Sequence, residues 1–101
     1  MSIPRGTTPT FTLTFPEEVD LTEAAHVYVS FRGGATIEKA DADLTVTANT
    51  VDVFLSQAET LSLAKGIVQI QVNWTYADGS RAASEIASYD FGANLLNRVV
   101  V

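Results

Sequence analysis

The sequence contains no cysteine, one histidine and one tryptophan among its 101 residues. Without thiols the fold cannot be stapled by disulfides, and a lone imidazole cannot build a His/Cys zinc site. Cations are also scarce: six Lys and Arg stand against twelve Asp and Glu, a net charge of -6. Six scattered cations leave no basic stripe for phosphates and no polybasic patch for anionic lipid, so neither nucleic acid nor a membrane is an expected partner. Long apolar runs are missing too. The N-terminal MSIPRGTTPTFTLTF lacks the basic-then-apolar layout of a secretion signal, so a chain made in a cytoplasm and not secreted by a signal peptide is expected.

What is present is patterned hydrophobicity. At 47% hydrophobic and 18% charged, the composition is that of a folded chain, and the length suits one domain with a modest core. Residues 10–15 read TFTLTF, with Phe11, Leu13 and Phe15 on one side and threonines on the other. Such period-two alternation means a half-buried strand, and Pro16 ends it. A second strand over 26–32 turns Val27, Val29 and Phe31 inward, and Gly33-Gly34 marks the turn after it. A weaker strand is expected over 36–40, where a two-residue loop would set Glu38 opposite Val29.

Further on, LTVTANTVDVFL reads as a hairpin around Asn49-Thr50, pairing Ala48 with Val51, Val46 with Val53 and Leu44 with Leu55. Thr50 suits positive φ poorly, which argues for a longer loop. In SQAETLSLAKG the alternation stops. Ser56 and Glu59 fit a capping box and Gly66 fits a helix C′ position, predicting a short helix or helical turn near 57–64 with Leu61 and Leu63 closing one end of the core.

The stretch 67–87, IVQIQVNWTYADGSRAASEIA, presents Val68, Ile70, Val72, Trp74 and Tyr76 on one face, then turns at Asp78-Gly79. A two-residue loop pairs Trp74 with Ala83, Ile70 with Ala87 and Val68 with Tyr89, but sets Glu85 against Val72. Either Glu85 reaches the sheet edge, or a bulge near 83–86 swings Ile86 inward. These features predict an all-β, immunoglobulin-like antiparallel β-sandwich of about seven strands over residues 1–93, followed by an apolar C-terminal tail over 94–101.

Residues with catalytic potential do not assemble in the pattern. His26 falls on the polar side of its strand, and no G-x-S-x-G nucleophile turn accompanies it. Glu17, Glu18, Asp20 and Glu23 read as a solvated acidic loop, since paired-carboxylate chemistry needs a cleft that a sandwich this small seldom has. Asp41 and Asp43 lack the full spacing of a calcium loop. Asn73-Trp74-Thr75 matches a glycosylation sequon in mid-strand, read as chance. Arg5, Arg32, Arg81 and Arg98 are scattered and suit surface solubility as well as an interface. No catalytic residue, metal site or cofactor is therefore expected.

Strand edges and the tail remain. The threonine-rich first strand and the strand after Asp78-Gly79 are candidates for edge pairing with another chain. Leu95, Leu96, Val99 and Val100 are candidate contact residues, in a tail that also ends in Val101. A competing expectation is a carbohydrate-binding or host-recognition module, whose aromatic platform would have to come from Tyr28, Tyr89 and Trp74.

Four segments in order also carry a resemblance. RGTTPTFTLTF, DLTEAAHVYVSFR, LSQAETLSLAKG and IVQIQVNWTYADGSRAAS resemble the N-terminal domain of phage baseplate upper proteins, from tailed phages and prophages of Gram-positive bacteria. The shared layout is an R-G-x-T-x-x-F-x-L strand, a D-L-T-x-x-A-x-V-x-V-x-F strand, an L-T/S-x-x-E-T-L segment and a long strand with a D-G hairpin. It covers roughly 5–91. The resemblance implies a non-enzymatic virion structural protein of the tail or baseplate, made in the bacterial host cytoplasm. Its partners would be other tail or baseplate proteins, with a homo-oligomer as a further expectation. The 101 residues do not extend into the long C-terminal part that carries oligomerisation and receptor binding in those proteins. A stand-alone tail accessory protein fits the resemblance equally.

Overall fold

The structure, a computed structural model, describes residues 3–96 and 98–100; Val101 lies outside the described residues. The described chain is mostly β with one short helix. Its strands are β1 (Ile3–Pro4), β2 (Thr10–Thr14), β3 (His26–Arg32), β4 (Thr36–Ala40), β5 (Leu44–Val46), β6 (Thr50–Phe54), β7 (Gly66–Thr75), β8 (Arg81–Ala83) and β9 (Ala87–Gly92), with helix α1 (Gln57–Ser62) between β6 and β7. One sheet runs β1-β9-β7-β3-β4, with β8 also on β7; the other runs β2-β6-β5.

Their inner faces meet in one core. Val29, Phe31, Val68, Ile70, Val72 and Phe91 come from the larger sheet, Phe11, Val51 and Val53 from the smaller, and Leu21, Leu55 and Leu63 from connections. Each such side chain stabilises the fold by roughly 1.5–3 kcal/mol when fully buried. The expected sandwich thus holds at the level of two packed layers. Strand order departs from the immunoglobulin arrangement, which places the second strand between the first and the fifth. Here β3 lies between β7 and β4. One pairing is parallel, β1 with β9.

Local loops shift several registers. Arg32 pairs with Thr36 across a three-residue turn, so Lys39, not Glu38, faces Val29. Val46 pairs with Val51 and Leu44 with Val53, two residues from the expected register and therefore on the same faces. The turn there is Ala48-Asn49, closed by the Thr47 N–H donating to the Thr50 carbonyl. Its position is held from outside the hairpin: the Leu21 N–H donates to the Ala48 carbonyl and the Phe15 N–H to the Asn49 carbonyl.

The Asp78-Gly79 hairpin carries three loop residues, with the Tyr76 N–H donating to the Ser80 carbonyl and Gly79 at φ +87°. Positive φ at the last loop residue fits a three-residue hairpin closing on a glycine bulge. Trp74 consequently pairs with Ala82. One extra residue enters between β8 and β9, and the expected pairs Ile70–Ala87 and Val68–Tyr89 are restored. The bulge lies where Glu85 made the register awkward, but Ile86 is exposed, not turned inward.

Helix α1 begins with the capping box: Ser56 Oγ accepts from the Glu59 N–H at 3.2 Å, and Glu59 Oε1 accepts from the Ser56 N–H at 2.9 Å. It ends at Ser62 with an extended Leu63, so Gly66 is not its C′ residue and instead opens β7. Leu63 is fully buried and Leu61 partly so.

Candidate functional site

Strand β2 is the last strand of the smaller sheet. The Phe15 N–H donates to Asn49 and the Leu55 N–H to Pro9, so odd-numbered residues of β2 turn their backbone groups towards β6. By antiparallel alternation Thr12 and Thr14 turn theirs away, towards an open edge. On the larger sheet the Ser84 N–H and the β8 pairings face β7, leaving the other side of β8 and of the bulge as an edge too. The structure thus brings together the two edges singled out from sequence.

Between them the layers splay apart. Near Phe11 the gap is closed, because its ring packs on Tyr89 with centroids 5.1 Å apart. From Thr12 to Pro16 it opens into a groove of about 570 Å³, with Leu13, Phe15 and Val19 partly exposed in it, Ile70, Val72 and Trp74 buried beneath, and Glu85 on the bulge side. No Lys or Arg lines it among the described residues. Trp74 is buried at its base; its indole N–H donates to the Tyr76 hydroxyl at 3.0 Å, and its ring meets Phe15 edge-on. This apolar trough bounded by unpaired backbone can hold an extended peptide.

The candidate tail residues lie at the other end of the molecule. Leu95 is fully exposed, Leu96 and Val99 are about half exposed, and Val100 is partly buried. Gln57 holds both backbone groups of Val100: its Nε2 donates to the carbonyl at 2.7 Å and its Oε1 accepts the N–H at 2.8 Å. Asn94 ties the start of the segment to the Arg5 carbonyl at 2.8 Å.

Arg5 is more than a solubilising cation. Its guanidinium donates to the Leu61 and Leu63 carbonyls, satisfying acceptors left by the end of α1. Thr60, buried in the helix, donates its hydroxyl to the Thr7 carbonyl at 2.8 Å. Neither role was evident in the sequence, because both partners are more than fifty residues away.

The titratable groups serve structure as well. Asp41 sits at φ +42°, accepting from the Val27 N–H at 3.0 Å and from His26 Nδ1 at 2.9 Å. The Val27 N–H first, and then His26, hold its carboxyl below the usual range. Partial burial pushes the Glu59 carboxyl up, but Lys39 and the Ser56 N–H outweigh it, so its value is also lowered. Asp20 caps the turn over 21–23 by accepting from the Thr22 N–H at 3.0 Å. No group of three or more His, Cys, Asp and Glu side chains that could hold a metal occurs among the described residues.

The three rings needed for a sugar platform do not share a surface. Trp74 is in the core, Tyr89 packs on Phe11, and Tyr28 alternates with the inward-facing Val27 and Val29 and so lies on the outer face. No helix of the described residues is long and apolar enough to cross a membrane. No protein-family model, curated protein or solved structure matches the chain.

Proposed function

We propose that this chain is a non-enzymatic structural protein of a phage or prophage tail or baseplate, working through protein–protein contacts within the virion. The observation that carries the reading is the groove: two unpaired strand edges flank an apolar trough whose shape and chemistry suit an extended segment of protein. The order of the four sequence segments supplies the phage assignment. The exposed Leu95, Leu96 and Val99 add apolar surface at the opposite end, as a subunit with neighbours on two sides requires. A repeated array presents partners at high local concentration, so contacts that are weak singly hold collectively.

The test is composition. Tail particles purified from the host that encodes the chain, after induction or infection, are expected to contain it at a fixed ratio to other tail proteins by quantitative mass spectrometry. Recovery of the chain in the soluble lysate alone, with none in particles, contradicts the reading.

A further inference from the structure

Two features leave apolar side chains or strand-edge backbone groups uncovered among the described residues, and their chemistry matches. The first is the groove, apolar within and acidic at its margin: Glu85 lines it, and Glu17 and Glu18 follow directly on Pro16, which also lines it. The second is the segment 95–100, whose side chains at Leu95, Leu96 and Val99 face solvent and whose one charge is Arg98. In an extended conformation Leu95, Asn97 and Val99 fall on one face and Leu96, Arg98 and Val100 on the other. With the first face inward, Leu95 and Val99 meet the groove while Arg98 stands at the rim beside Leu96 and Val100. Six extended residues span about 20 Å, enough to cover the open edge from Thr12 to Pro16.

The segment cannot lie in its own groove. Its anchors, Asn94 on Arg5 and Val100 on Gln57, sit at the end of the sandwich where β7 begins. The groove floor at Val72 and Trp74 is about 20–27 Å further along that strand. Resting on the assembly reading above, we propose that residues 95–100 of one copy enter the groove of a second copy as an added strand on the Thr12/Thr14 edge, with Arg98 facing Glu85. In the free chain the Gln57 amide parks Val100 as a strand partner would, and insertion exchanges those two hydrogen bonds for ladder bonds to β2. The contact is head-to-tail, joining two different surfaces, so association continues beyond a dimer.

Sedimentation velocity on the full chain in low salt tests this, from about 10 to about 500 μM, the range in which a contact one strand wide is read. The wild-type mass is expected to rise steadily with concentration, and raised salt to weaken the association. Thr12→Pro removes an N–H that no internal strand uses, and is expected to abolish growth while leaving the melting temperature near the parent's. Val99→Asp, at an exposed site, is expected to weaken association by more than about tenfold. Glu85→Arg and Arg98→Glu are each expected to weaken it, and the double exchange to restore it.

Mixing separates this contact from any other. Thr12→Pro retains a working segment and Val99→Asp a working groove, so together they are expected to form a 1:1 dimer and nothing larger. A wild-type chain that stays monomeric throughout overturns the inference, as does a self-associating chain unaffected by Thr12→Pro and Val99→Asp. Should Thr12→Pro fail to fold, Val99→Asp mixed with Glu85→Arg carries the same test. A chain present in tail particles yet monomeric in solution defeats the inference and leaves the assembly reading standing; a self-associating chain absent from particles does the reverse.

Discussion

The two ends of this sandwich are built on opposite plans. At the α1 end, side chains from distant parts of the sequence satisfy backbone groups, Arg5 on Leu61 and Leu63, Thr60 on Thr7 and Gln57 on Val100, and the Lys39 ammonium pairs with the Glu59 carboxylate. Along the groove the layers part, and backbone groups of β2 have no strand partner among the described residues. One end is closed by tertiary contacts, whereas the other is apolar and open. Stability is expected to reside in the first and contact with other chains in the second.

The largest expected effect is in packing. Leu63→Ala, at a fully buried site beneath α1, is expected to cost about 2–5 kcal/mol. Leu13→Ala, half-buried beside a groove that already lacks neighbours, is expected to cost about 1–1.5 kcal/mol. Urea unfolding of the two variants measures the difference, and equal losses would erase the contrast between closed and open regions.

Next come the glycines. A Cβ on Gly34 would lie 2.5 Å from the Ala64 Cβ at a φ of +75°, so Gly34→Ala is expected to cost about 1–3 kcal/mol. Gly79 also has positive φ, +87°, but a Cβ there meets nothing within 4 Å. Gly79→Asn at the hairpin tip is therefore expected to cost no more than about 1 kcal/mol, since asparagine tolerates this conformation. Thermal melts of both variants sharpen the comparison.

A smaller effect is expected from acid. The Glu59 carboxyl is lowered from 4.5 in the folded chain, so its contribution is present above that pH and is lost as pH falls through the folded value. Glu59→Gln is expected to flatten the decline in stability between neutral pH and strongly acid pH, read by denaturant midpoints across the range. Ile86→Ser, on the outward side of the bulge, is expected to change stability by no more than about 0.5 kcal/mol. A larger loss would mean that Ile86 packs against something within the fold.

How much of this was legible in the sequence depends on distance along the chain. Alternation in β2, β3 and β7 specified which side chains face inward, and Ser56 with Glu59 specified where α1 starts, because these signals are local. Register was harder. The β5–β6 hairpin slid by two residues, which preserves every inward face, and its turn was placed by the Phe15 and Leu21 N–H groups from outside it. Glu85 opposite Val72 signalled the bulge, but not that Ile86 would turn outward, since either side of a bulged strand can carry the extra residue. The two strand edges were legible one at a time. That they flank one groove is a property of the strand order, with β3 beside β7 and β2 left at the end of the smaller sheet.

Residue-resolved amide hydrogen exchange at Thr12 and Thr14 bears most directly on the open edge and its use. In dilute solution both amides are expected to exchange quickly while Leu13 and Phe15 are protected, and at high concentration both are expected to slow by more than about tenfold. Protection of Thr12 and Thr14 already at dilution, or rapid exchange at every concentration, would contradict the account.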